Sequence, residues 1–72
     1  MVNINKLRGK MFEKGFNVEK LADKIGIDKA TLYRKFNSDG QSITIKEASI
    51  IVFVLGLTPS EATAIFFSQS VA

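Results

Sequence analysis

The sequence predicts an all-α domain of five short helices, the second and third joined by a tight turn. Three observations predict it. Apolar residues recur at i, i+3 and i+4 through most of the chain rather than alternating. Two capping boxes, Thr44-Ile45-Lys46-Glu47 and Thr58-Pro59-Ser60-Glu61, announce helix starts. Glycines stand where helices should stop, at Gly15, Gly26 and Gly56. The 72 residues, 46% of them hydrophobic, make a single domain spanning 1–72, near the lower size at which one core holds a fold unaided.

The first helix spans about Ile4 to Lys14, with Ile4, Leu7 and Met11 on one face. Gly9 in its interior costs roughly 1 kcal/mol relative to alanine, which predicts close packing at that point. The second starts at the N-cap Asn17, with Phe16 and Leu21 spaced as a hydrophobic staple, and ends near Ile25 and Gly26. The third starts at the N-cap Asp28 with the same staple in Ile27 and Leu32, and runs to about Asn37. Ser38 to Ser42 is a loop on composition. The fourth runs from the first capping box to Gly56, although IIVFVL from Ile50 is strand-like in propensity. The cap before it and the glycine after it decide for helix, with Ile45, Ala48, Val52 and Leu55 on the expected core face. The fifth, with Pro59 at its first position, extends to about Ser68.

Composition excludes several functions. There is no cysteine and no histidine, so disulfides and the usual zinc ligand sets are out. With neither residue, no glycine-rich phosphate loop and no paired carboxylates, the chain is expected to be neither an enzyme nor a cofactor or metal carrier. No small-molecule ligand is evident. The first ten residues lack the apolar core of a signal peptide, and the longest apolar run, Ile50 to Leu55, is far short of the ~20 residues that cross a bilayer. A cytoplasmic protein without membrane contact is expected.

The net charge of +3 is unevenly placed. Through Gly40 there are nine Lys and Arg against five Asp and Glu; from Gln41 on, one against two. That asymmetry suits a polyanion on one part and a protein surface on the other. The basic part contains the pair of short helices from Val18 to Asn37. Ala22 is small where two helices would approach, and Gly26 stands in the turn, where positive φ favours glycine. With Leu32 and Phe36 inward, the third helix turns out Ala30, Thr31, Tyr33, Arg34 and Asn37, with Lys29 at its start. This is base-reading chemistry without an acid after Asp28. A plain αα-hairpin within a bundle is the alternative. Lys6, Lys10 and Lys14 form a like-charged stripe on the first helix that fits either a phosphate backbone or simple solubility.

The stretch LADKIGIDKATLYRKFN, Leu21 to Asn37, resembles the helix-turn-helix of phage Cro and lambda-type repressors, the Xre family. The likeness extends over nearly the whole chain and is nearest to small phage-encoded regulators of Gram-positive hosts. Lys35 departs from it, since that slot is usually apolar in the family, and Phe36 is expected to take over its packing. The resemblance implies a five-helix lambda-repressor-like DNA-binding domain whose helix-turn-helix is formed by helices 2 and 3. It puts base reading on Lys29, Ala30, Tyr33 and Arg34, with the methyl of Thr31 as a further contact. It puts phosphate contacts on Asn17 and Val18 and on Asn37 and Ser38, with Lys35 and Lys46 as weaker candidates. The implied partner is double-stranded DNA carrying a pseudo-palindromic operator, bound in the nucleoid of a bacterial host by a transcriptional regulator that occludes a promoter.

The fourth and fifth helices hold more apolar residues than one core face needs. Ile50, Phe53, Val54 and Phe67 fall where water would be expected, which predicts a homodimer interface. Two alternatives stand beside it: the C-terminal tail covers the patch, or the chain is an Xre-like antitoxin or adaptor that binds another protein there.

Overall fold

A computed structural model of the chain describes residues 2–67. It contains α1 (Ile4–Glu13), α2 (Val18–Ile25), α3 (Lys29–Asn37), α4 (Ile45–Leu55) and α5 (Pro59–Phe66), with no strand among the described residues. IIVFVL is helical, as its flanking cap signals predict. Each helix starts on a side chain that accepts a backbone N–H: Asn3, Asn17, Asp28, Thr44 and Thr58. Both capping boxes close reciprocally, Glu47 and Glu61 each returning to the N–H of its cap threonine at 2.9 Å. The expectations about Ser68 and about a covering tail lie outside the described residues.

The core is assembled evenly. Leu7, Leu21, Leu32, Ile51 and Ile65 are the largest fully buried side chains, one from each helix. Met11, Phe36, Leu55 and Phe66 pack around them. Helices α2 and α3 pack together, α4 lies against α2, and α5 lies against α1. The last pair runs antiparallel: the Asn3 N–H donates to the Ile65 carbonyl at 2.7 Å, and further along Lys10 reaches Glu61. No helix among the described residues is long and apolar enough to cross a membrane.

Two expectations are corrected. The inward side of α4 is carried by Ile51 and Leu55, with Ala48 and Val52 half-buried, while Ile45 is 85% exposed. Ile45 and Ile51 are six residues apart, about 120° around the helix, so both cannot face one core. Gly9 does not mark a close approach, because a β-carbon there would meet nothing within 4 Å. The tight position is Gly40, in the loop after α3. There φ is +72° and a β-carbon would stand 2.8 Å from the Cβ of Val2.

Candidate nucleic-acid interface

The site is built on the turn between α2 and α3, which consists of Gly26, Ile27 and Asp28. Gly26 has φ +89°, and the Ala22 carbonyl accepts from the N–H groups of both Gly26, at 2.8 Å, and Ile27, at 3.0 Å. That double bond ends α2 and turns the chain at once into α3. Ala22 is buried at this junction. The Asp28 carboxylate accepts the Ala30 N–H at 2.9 Å, so the one acid at the head of α3 serves as its cap.

Leu32 and Phe36 are buried, and Lys29, Ala30, Tyr33, Arg34 and Asn37 are exposed. Thr31 is half-buried and accepts from Nη2 of Arg34 at 3.3 Å, which orients the guanidinium along α3. Lys29 Nζ lies 3.2 Å from Glu19 across the turn; both side chains are well exposed, so this pair is weak and easily exchanged.

The expected phosphate positions differ in what they offer. Asn17 lies at the start of α2, its side chain taken by the Lys20 N–H at 2.7 Å. Val18 is buried, so only its main-chain N–H is available to an anion. Asn37 and Ser38 are exposed at the end of α3, with Ser38 Oγ donating to the Lys35 carbonyl at 3.0 Å. Lys35 is the correction. Its ammonium donates to both carboxylate oxygens of Glu47, at 2.7 and 2.9 Å, and the two side chains are 17% and 13% exposed. It ties α3 to the start of α4 and is not a free cation. The stem is largely buried while the charge is neutralised locally. Desolvation pushes the Glu47 carboxyl up, but hydrogen bonds from Lys35 and from the Thr44 N–H outweigh it and hold it below the usual range.

Lys10 of the basic stripe is likewise engaged, pairing with Glu61 and, at 3.6 Å, with Glu13. The hydrogen bond from Lys10 lowers the Glu61 carboxyl to about 2, with help from the Thr58 N–H. The same contact raises the Lys10 ammonium above its ordinary value. The stripe is thus broken by a structural ion pair.

Of the apolar residues expected at an interface, Phe53 and Phe67 are exposed, at 86% and 67%, whereas Ile50 and Val54 are half-buried. Ile45 joins the exposed set, and a shallow groove lined by Ile43, Ala48, Val52, Ala62 and Phe66 runs beside it. Periodicity separates Ile50 and Val54 poorly from the exposed residues because eight of the eleven residues of α4 are apolar. Phe12 was missed altogether. It is exposed at the end of α1, and the available signal was its place one residue beyond the Ile4, Leu7, Met11 face. Comparison with known proteins finds no family model, no curated protein and no solved structure that matches the chain.

Proposed function

We propose that the chain is a sequence-specific double-stranded DNA-binding protein, a small dimeric transcriptional regulator with a lambda-repressor-like fold. In this reading α2 and α3 are the helix-turn-helix and α3 enters the major groove. The observation that carries it is the outward face of α3. Lys29, Tyr33, Arg34 and Asn37 are exposed there, Ala30 leaves room beside them, Asp28 is used as a cap, and Glu19 holds Lys29 only in an exposed, easily exchanged pair. Arg34 forks to O6 and N7 of a guanine, Lys29 reaches similar acceptors less selectively, and Ala30 and Thr31 meet a thymine methyl. Backbone N–H groups at the start of α2, together with Asn37 and Ser38, hold phosphates. Two copies reading half-sites about 34 Å apart give a pseudo-palindromic operator, and occupancy of a promoter gives repression.

Replacing Arg34 with Ala tests the assignment. It should cost ~1–3 kcal/mol on the preferred duplex and much less on random DNA, measured by fluorescence anisotropy at fixed salt. An equal loss on both would make Arg34 a phosphate contact only. A second reading, a module that binds another protein, is favoured by the exposed Ile45, Phe53 and Phe67. It predicts a monomer in sedimentation that enriches no duplex from a random pool.

A further inference from the structure

A pocket of about 220 Å³ opens where the end of α1, the start of α2 and the middle of α3 meet. Arg8, Phe12, Phe16, Asn17 and Tyr33 are among its walls, and no carboxylate lines it. The groove along α2 and the α2–α3 turn is different, lined by Glu19, Asp23 and Asp28 together with Lys20 and Lys29. Phe12 is 87% exposed and takes no part in the core, while Tyr33, 46% exposed, belongs both to this pocket and to the outward face of α3. Arg8 is the cation among the walls; it also lies against the buried Phe36 behind the pocket, and Lys20 reaches the Phe16 ring from the neighbouring groove. The Arg8 guanidinium is 5.2 Å from the centroid of the Phe36 ring, and Lys20 Nζ is 4.7 Å from that of Phe16, itself a wall of the pocket. Aromatic rings, the Arg8 cation and a lack of acids together match a chain of sugars joined by phosphates.

We infer that this pocket takes the deoxyribose–phosphate backbone of the DNA strand flanking the groove that α3 occupies, with a sugar against Phe12 and Tyr33 and a phosphate near Arg8. The inference rests on the reading of α3 as the helix that enters DNA. A duplex, not an unpaired strand, is the occupant because Tyr33 is shared with that face. The strand leaving the groove therefore passes the pocket with its bases stacked inward and its sugars outward. The contact extends the footprint without reading sequence.

The test is hydroxyl-radical footprinting and anisotropy on the preferred duplex and on a random duplex, with wild type, Phe12→Ala and Arg8→Gln, each checked for fold by circular dichroism. Wild type should protect sugars just outside the groove, and Phe12→Ala should lose that protection. Phe12→Ala should also weaken binding to both duplexes alike, by roughly 10-fold, with the salt slope unchanged. Arg8→Gln should reduce the slope by about 1. If wild type binds and Phe12→Ala leaves both footprint and affinity intact, the pocket is not occupied and the inference fails while the reading of α3 stands. A loss confined to the preferred duplex would make Phe12 a base reader and overturn the backbone assignment, as would tighter binding to the isolated strand than to the duplex. Failure of wild type to bind any duplex would remove both.

Discussion

At Gly40 a β-carbon would stand 2.8 Å from Cβ and 3.1 Å from Cγ1 of Val2, and 2.9 Å from Cδ1 of Ile4, on a backbone already at φ +72°. Alanine there meets a wall and a left-handed backbone together, and Gly40→Ala should lower stability by ~1–3 kcal/mol. Gly9 is the opposite case. It lies in the interior of α1, exposed, with open space where a β-carbon would go. Gly9→Ala should raise stability by about 0.5–1 kcal/mol, because alanine loses less conformational freedom on entering the helix. Urea unfolding of the two variants reads both values, and a destabilising Gly9→Ala would mean that α1 has a neighbour at that point. Neither outcome was legible in the sequence, where both are a single glycine among polar residues. What distinguishes them is the fold around them, specifically the return of Val2 and Ile4 against the loop after α3.

The helix boundaries were legible because caps are local chemistry. Asn17, Asp28, Thr44 and Thr58 each satisfy an N–H within three residues, and no distant contact is needed to place them. Which side of α4 faces inward was not legible, since eight of its eleven residues, IKEASIIVFVL, are apolar. The choice is made by long-range contacts, Ile51 into the core and Glu47 to Lys35. Ile51→Ala should therefore cost about 2–5 kcal/mol, while Ile45→Ala should stay within roughly 0.5 kcal/mol. Similar losses from both would restore Ile45 to the core. The α1–α5 clasp adds a pH dependence. Folding holds the Glu61 carboxyl at about 2, below its unfolded value, so its contribution is complete above the ordinary carboxylate range and is lost as the pH falls toward 2. Glu61→Gln keeps the cap geometry but removes the charge, and should flatten the fall in Tm between about pH 5 and pH 2. An unaltered acid limb would show that Lys10 and Glu61 do not pair in solution.

Across the whole molecule the two halves carry different chemistry. Lys6, Arg8, Lys20, Lys24 and Arg34, on α1 to α3, have no ion-pair partner among the described residues. On α4 and α5, Glu47 and Glu61 are consumed by Lys35 and Lys10, and Lys46 is the charge left without an ion-pair partner among the described residues. A nearly neutral apolar surface can be laid against itself across a two-fold axis without like-charge repulsion, which is what a dimer of identical readers requires. Phe53→Lys places a charge on that surface and should give a monomer in analytical ultracentrifugation with the helical content unchanged. A persistent dimer would move the contact elsewhere. Reading of DNA by the α3 face is tested most directly by selection of bound duplexes from a random pool at about 0.15 M salt, followed by sequencing. A two-fold symmetric motif with half-sites about one helical turn apart is the expected result. No enrichment from folded protein would contradict it.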